Sequence, residues 1–338
     1  MSEIFLDLIG RLAVIYIGIL FGFILNKTRL SSDYWKGKIT KLNIVVIFPI
    51  TIFFALASMS ISTDFLIIAQ ILLCAFLVHV MGYIWTVFAN SLWLSNRPNT
   101  TKGAVTQVST FPNALIYPFP IILALVGEEG LFSATLFLIM ALVLRNSLGI
   151  MIGSQYSSDR HHISLKKVVR KVLLFPPFLA MIVSFLFLVV VGPQDFSNVI
   201  IVSWIKNIAT FSALIMIGLT IRLPESSKNP NHNDSRLVNE SSIVETRFFE
   251  QLTPAIGRFV ICPVLALVLV FVFGFPGLLA IPLLIQAAAP PAVNNIIYSE
   301  FLGFDATTVS QSITILTVVA LIILPLELLL ISIFFPLF

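Results

Sequence analysis

Two short segments combine prolines with asparagines, a pairing that can break a helix and offer amide groups at the break. The first segment, 109–120, contains Pro112, Asn113, Pro118 and Pro120. Each proline lacks a backbone N–H and clashes with the preceding helical turn, so a regular helix cannot continue through three of them in nine residues. We therefore predict that a helix is interrupted here.

The second segment, 286–295, has the adjacent pair Pro290 and Pro291, with Asn294 and Asn295 just beyond it. The same steric argument predicts a second interrupted helix. At a break, the following half-helix begins with unpaired N–H groups that favour an anion. The preceding half-helix ends in free carbonyls that can hold a cation or a proton-bearing group.

Asparagine amides can donate to a carboxylate without the cost of burying a further charge. We therefore predict a small organic anion as ligand, contacted by residues of both breaks and by one arginine. These residues are Pro112, Asn113, Pro118, Pro120, Arg145, Pro290, Pro291, Asn294 and Asn295. The alternative is that the prolines only kink two packed helices and the amides hold helices together.

The elements that carry these segments must lie in lipid. Of 338 residues, 58% are hydrophobic and 11% are charged, whereas a soluble domain has about 25% charged residues. Lipid offers no partner to open backbone groups, so each membrane span is predicted to be helical and about 20 residues long. The predicted spans are about 8–25, 41–58, 65–94, 103–126, 131–153, 173–191, 198–220, 252–273, 277–299 and 307–334.

The distribution of basic residues predicts the orientation of these ten spans. Four loops contain 16 of the 20 lysines and arginines: 26–41, 95–102, 154–172 and 221–251. With ten spans, all four loops fall on one side, which the positive-inside rule assigns to the cytoplasm. Both termini are then outside, and the protein is a multi-pass protein of the lipid bilayer.

The basic cytoplasmic loop 154–172 divides the chain into two halves of five spans, 1–153 and 173–338. An odd number of spans per half gives the halves opposite orientations, as in an inverted repeat. Each interrupted helix is the fourth span of its half, and matched interruptions indicate a transporter site. The polar stretch 222–246, within the cytoplasmic loop 221–251, is predicted to be a flexible linker.

Several ionisable residues lie inside predicted spans. Arg145 is deep in the fifth span, where an ionised side chain is expected either to contact the anion or its path or to pair within the helix bundle. Arg11 and Arg258 are near predicted span ends, where snorkelling to the interface is the simpler interpretation. Glu327 and His79 are candidates for proton coupling, with structural roles as the alternative.

The sequence contains no phosphate-binding loop, no metal-ligand spacing and no pairing of a nucleophile with a base. Cys74 and Cys262 lie in apolar segments and are interpreted as small buried residues. We therefore expect no enzyme activity, no cofactor, no metal and no nucleic-acid partner. Transport would draw on an ion gradient, the membrane potential or the gradient of the substrate itself.

Both segments resemble the crossovers of the auxin efflux carrier family of membrane transporters. The run 109–115 is similar to the first crossover of the plant carriers, and 289–295, with Glu300 and Gly303 after it, to the second crossover of bacterial malate and malonate permeases. The resemblance covers nearly the whole chain. It departs at Pro118, where the family tends to have glycine, and this leaves the identity of the substrate open.

The resemblance implies an all-α membrane protein with two inverted five-helix repeats and broken, crossing helices 4 and 9. Spans 1, 2, 6 and 7 would form a scaffold, and the other spans would form a moving core. The resemblance also implies a homodimer formed through the scaffold. Asn113 matches the family's substrate-contacting asparagine. The bacterial likeness implies the plasma membrane of a prokaryote.

We thus expect a secondary active carrier of a small carboxylate that works by alternating access. Two alternatives stay open, a sodium-coupled carrier of the bile-acid type and a membrane sensor that binds a ligand without moving it.

Overall fold

The computed structural model describes residues 2–26, 33–58, 65–157, 170, 173–196, 198–220 and 240–335. Within these residues the regular structure is helical, which confirms the predicted all-α class. The α-helices are α1 (Ser2–Asn26), α2 (Asp33–Leu42), α3 (Phe48–Ala57), α4 (Phe65–Leu92), α5 (Asn99–Thr110), α6 (Pro118–Leu125), α7 (Leu131–Tyr156), α8 (Pro176–Val191), α9 (Ile200–Thr220), α10 (Glu240–Ile256), α11 (Cys262–Phe273), α12 (Gly277–Ala287), α13 (Asn295–Leu302) and α14 (Ala306–Phe334).

Seven helical segments of the described chain are long and apolar enough to cross a membrane, so the protein is a multi-pass membrane protein. They lie in α1, α2 with α3, α4, α7, α9, α10 with α11, and α14. The three other predicted spans correspond to α8, an apolar helix of 16 residues, and to the pairs α5–α6 and α12–α13. Each of these pairs is one predicted span that the structure divides into two short helices.

Two π-helical segments join consecutive α-helices without a loop. Asn43–Ile47 joins α2 to α3, and Gly257–Ile261 joins α10 to α11. Each is followed by a proline, Pro49 or Pro263, at the second position of the next α-helix. Since a proline ring clashes with the preceding turn of a regular helix, the wider π turn makes room for it. Such turns also redirect the side chains that they carry.

The first and seventh predicted spans, α1 and α9, approach each other closely at two glycines. A Cβ atom added to Gly22 would lie 2.1 Å from the carbonyl oxygen of Ile215, and one added to Gly218 would lie 2.1 Å from that of Ile19. Small residues that let two helix backbones touch are typical of helix association in membranes. At these two positions the helix contact therefore leaves room for the hydrogen of glycine but not for a side chain.

The predicted linker 222–246 is described only at its end, because residues 221–239 lie outside the described part of the chain. From Glu240 onward the prediction is wrong, since α10 already begins there. The segment has no glycine or proline before Pro254, so nothing local stops the helix from extending beyond the membrane. Most of the basic loop 154–172 also lies outside the described residues.

Candidate functional site

The two helix interruptions meet face to face. The link between α5 and α6 runs antiparallel to the link between α12 and α13 for a few residues. The Asn113 N–H donates to the Pro290 carbonyl at 2.7 Å, and the Ala292 N–H donates to the Phe111 carbonyl at 3.1 Å. We call these two paired links the crossover. Breaks that are far apart in the sequence therefore form one feature of the fold.

Pro112 and Pro291 lie opposite each other at the centre of this antiparallel pair. In such a pair, residues of a non-hydrogen-bonded position contribute no N–H to the partner chain. A proline has no N–H to contribute, so the two prolines occupy the position where their missing donor costs nothing.

A cavity of about 110 Å³ lies beside the crossover. Four of the described residues that line it carry polar side chains: Asn113, Arg145, Asn294 and Tyr298. The other described lining residues are apolar and come from the two links, α7, the π segment after α2 and the residue before α8. They are Ile44, Pro112, Ala114, Leu115, Ile116, Leu138, Ala141, Leu142, Phe175, Ala292 and Val293. The structure thus brings four predicted site residues together, Pro112, Asn113, Arg145 and Asn294.

The side chain of Asn113 has a fixed orientation. Its Oδ1 accepts a hydrogen bond from the Ile116 N–H at 3.0 Å. Since only the amide oxygen can accept from an N–H group, the nitrogen must be the other terminal atom. Asn113 therefore offers donors to the cavity. Asn294 is exposed and makes no cap hydrogen bond with its side chain at the start of α13.

Arg145 is a buried positive charge with weak compensation. It is 7% exposed, and its Nη2 reaches the Pro112 carbonyl only at 3.5 Å. The guanidinium carbon is 5.3 Å from the centre of the Phe111 ring and 5.7 Å from that of the Tyr298 ring. The described residues that line the cavity include no carboxylate to pair with it. A buried charge is costly unless it is paired, so this site favours an anion.

Asn295 does not line the cavity. It is fully buried, its Nδ2 donates to the Phe111 carbonyl at 3.1 Å, and its own carbonyl accepts from Gln107 Nε2 at 3.1 Å. Its contacts in this structure therefore hold the crossover together, although the amide type alone made it an equal candidate with Asn294.

The other predicted prolines also lie outside the cavity lining. Pro118 and Pro120 are buried in the first turn of α6, and Pro290 and Pro291 are buried in the crossover. The helix starts offer fewer free donors than expected, because Pro118 and Pro120 have no N–H. The Phe119 N–H between them already donates to Leu115.

The start of α13 is similar, since the Asn295 and Ile296 N–H groups donate to Ala292 and Val293. The expectation of unpaired N–H groups is therefore wrong for these positions. The side-chain donors at the cavity are those of Asn113, Arg145 and Asn294.

The two candidates for proton coupling do not line this cavity. His79, fully buried in α4, has its Nδ1 2.7 Å from the Ala75 carbonyl, and its ring packs against Phe111 and Phe137. Glu327 lines a separate cavity of about 410 Å³ between α11, α12 and α14, whose other lining residues are apolar.

Two residues at the crossover were not predicted. Tyr298 lines the cavity, and its hydroxyl donates to Asn146 Oδ1 at 3.2 Å. Its position four residues after the cavity residue Asn294, on one helix face, is a usable signal. Arg258 was expected to snorkel, and that prediction is wrong because its side chain is fully buried. Its predicted span began at 252, whereas α10 begins at Glu240.

Comparison with known proteins gives two matches along nearly the full length. Residues 7–328 match the family described as Membrane transport protein. An uncharacterized transporter from Methanocaldococcus jannaschii is 20% identical over 318 residues, which cover 93% of this chain and 95% of that protein. Both links of the crossover lie within the matched residues.

Proposed function

Because the chain belongs to the Membrane transport protein family, the auxin efflux carrier family of transporters rather than enzymes, we propose that it is a secondary active carrier of a small organic anion. The anion is a carboxylate that binds in the cavity beside the crossover. The observation that carries this proposal is Arg145, a buried guanidinium that faces a cavity with no carboxylate among its described lining residues.

The polar groups of the cavity match a carboxylate. Arg145 supplies charge and a planar set of donors that suits two oxygens of one carboxylate. Asn113 supplies amide donors, since its oxygen is held by the Ile116 N–H. Asn294 lies at the opposite link of the crossover and lines the same cavity. Donors from both links would close on the anion, so binding would depend on how the two links are placed.

The transport cycle that we propose is alternating access in a ten-span fold of two inverted repeats, 1–153 and 173–338, joined by the basic cytoplasmic loop 154–172. The position of the breaks supports this, because each lies in the fourth predicted span of its half. A core that carries the crossover would move against a scaffold that includes α1 and α9. Both termini would be outside the plasma membrane of a prokaryote, and two scaffolds would form a homodimer.

The charge at the crossover argues against the sodium-coupled alternative. A sodium ion needs several oxygen ligands, and carboxylates are the strongest of them. The described lining of the cavity has a guanidinium and no carboxylate, so a cation there would be repelled. Flux that requires sodium would favour that alternative, and binding of a carboxylate without flux would favour a membrane sensor.

The experiment is uptake into proteoliposomes of radiolabelled acetate, benzoate and malonate by the purified protein and by Asn113→Asp. An aspartate keeps an oxygen that accepts from the Ile116 N–H, yet it places a negative charge beside Arg145. We expect at least one acid to be taken up by the wild type, and the variant to be folded and inactive.

The matched control is Asn99→Asp, the same substitution at the exposed first residue of α5, which should transport like the wild type. Asn113→Ala should lower uptake as well, because it removes the amide donors. The proposal is wrong if no acid is transported or bound, or if Asn113→Asp transports at the rate of the wild type.

A further inference from the structure

Arg258 covers the end of the half-helix that precedes the second break. It lies on the π segment between α10 and α11 and is fully buried. Its Nε donates to the Ala289 carbonyl at 3.1 Å, and its Nη2 donates to the carbonyls of Gln286 and Ala287 at 3.3 and 2.5 Å. Three carbonyls at the negative end of α12 thus accept from one guanidinium. They compensate the charge of Arg258 far better than the contacts of Arg145 compensate its charge.

Two of these carbonyls lack their usual helical donor because of the prolines. In a regular α-helix, Gln286 and Ala287 would accept from the N–H groups of residues 290 and 291. Those residues are Pro290 and Pro291, which have no N–H. A buried carbonyl that loses its donor is costly. Arg258 supplies hydrogen bonds to both carbonyls from another helix, although the Ala289 N–H also reaches Gln286 at 3.3 Å.

The turn that Arg258 holds is also attached to the first link of the crossover. The side-chain nitrogen of Gln286 donates to the carbonyls of Ala114 and Ala134, both at 3.0 Å. Ala114 lies in the first link, between α5 and α6, so its carbonyl belongs to no helix and Gln286 supplies it with a donor. One turn of α12 therefore lies between the guanidinium of Arg258 on one side and the first link on the other.

The next residues along the chain form the crossover itself. Pro290, whose carbonyl accepts from the Asn113 N–H, follows directly after Ala289, which Arg258 holds. A shift of this turn would move the partner of Asn113 and with it the wall of the cavity. The π segment makes the contact possible, because the proline that follows it widens the helix at the turn that carries Arg258.

We propose that Arg258 is a positioning residue of the transport site, which supplies the donors that Pro290 and Pro291 lack and so fixes the two links of the crossover against each other. Arg258 does not line the cavity, so it acts through the backbone rather than on the anion. The positional claim is independent of the substrate, and only its effect on transport rests on the function proposed above.

The test is hydrogen–deuterium exchange of the purified protein, followed by mass spectrometry of peptides that cover the two links. The variants are Arg258→Met, Arg258→Gln and Arg258→Lys. In Arg258→Met, we expect exchange at the amides of Asn113 and Ala292 to rise by roughly tenfold or more, because hydrogen bonds from a charged donor are among the stronger kind. Peptides from α1 and α9 should exchange as in the wild type.

Lysine keeps the charge and can still donate to the helix end, so Arg258→Lys should restore most of the protection, and Arg258→Gln should fall between the two. The matched control is Arg145→Met, a buried arginine at the same crossover whose one carbonyl contact is 3.5 Å long; it should leave the exchange of both links nearly unchanged. For any of the three acids that is transported, Arg258→Met should raise KM several-fold, and Arg258→Lys should reverse most of that rise.

A purely structural role would raise exchange throughout the protein and lower the yield of folded protein with KM unchanged, and that result overturns the proposal. If Arg258→Met does not fold, Arg258→Gln decides, and unchanged exchange at the links in that variant also overturns it. If exchange rises at the links while no acid binds, the positional claim stands and the proposed carboxylate function fails. If acids are transported while exchange at the links stays unchanged, the reverse holds.

Discussion

Replacement of Arg145 by methionine separates the energetics of binding from those of folding. The guanidinium makes one carbonyl contact at 3.5 Å and two contacts with aromatic rings. Each cation–π contact contributes about 0.5–1 kcal/mol, while removal of an unpaired buried charge relieves a penalty of similar or larger size. We therefore expect the free energy of unfolding of Arg145→Met to lie within about 1 kcal/mol of the wild type.

Binding of the anion should respond far more strongly. A hydrogen bond to a charged group contributes about 1.5–3 kcal/mol, which corresponds to a loss of affinity of roughly tenfold to hundredfold. The loss should affect every carboxylate that the protein binds, because Arg145 would contact the carboxylate common to all of them. Arg145→Lys should lose less, since it keeps the charge, but it gives up the planar guanidinium that lies near two rings.

The assay is titration of the purified variants with a transported acid, alongside thermal unfolding of the same samples. Arg97→Met is the control, because Arg97 forms an ion pair with Glu250 at 2.7 Å outside the cavity; its affinity for the acid should equal that of the wild type. Wild-type affinity in Arg145→Met would refute the reasoning. So would a large loss of stability without any change in binding.

Two further predictions concern packing between helices. Gly218→Leu should destabilise the protein by about 3 kcal/mol or prevent folding, because the added Cβ would lie 2.1 Å from the Ile19 carbonyl oxygen and the helices would have to separate. The yield of monodisperse protein on size exclusion measures this effect. A normal yield would disprove the close contact. Tyr16→Phe should lower the free energy of unfolding by about 1 kcal/mol, measured by thermal or denaturant unfolding. The reason is that the Tyr16 hydroxyl donates to the Leu321 carbonyl, which Pro325 leaves without a helical donor. A variant as stable as the wild type would show that this carbonyl needs no partner.

The interruptions could be predicted from the sequence because proline acts on its own helical turn. The breaks follow Thr110 and Ala287, next to the prolines that cause them, and no knowledge of the rest of the fold is needed. The membrane class follows from composition for a similar reason, since a chain with 58% hydrophobic residues cannot cover a soluble surface. These conclusions depend on chemistry that is local or averaged over the chain.

The roles of individual side chains depend on helix rotation and helix ends, which composition does not give. Asn294 and Asn295 are adjacent, and only the contacts of the fold turn one to the cavity and the other to the Phe111 carbonyl. The prediction for Arg258 is wrong because the helix starts twelve residues earlier than predicted, at Glu240 rather than 252, so that Arg258 lies well inside it instead of near an end. The direction in which the Arg258 side chain points is also set by the π segment. In the sequence, the only sign of that segment is the proline that follows it.

The prolines of this protein do more than stop helices. The carbonyls that they leave without a backbone donor accept hydrogen bonds from side chains of other elements. Gln286 reaches Ala114, Arg258 reaches Ala287, and Tyr16 reaches Leu321. In each case the acceptor lies four residues before a proline, and the donor comes from a helix distant in sequence. A half-helix of this kind cannot satisfy its own backbone in lipid. Each broken helix therefore requires a hydrogen-bond donor from another element. Replacing one of these donors should alter the structure at the break whose carbonyl it contacts, rather than around the donor's own position in the sequence.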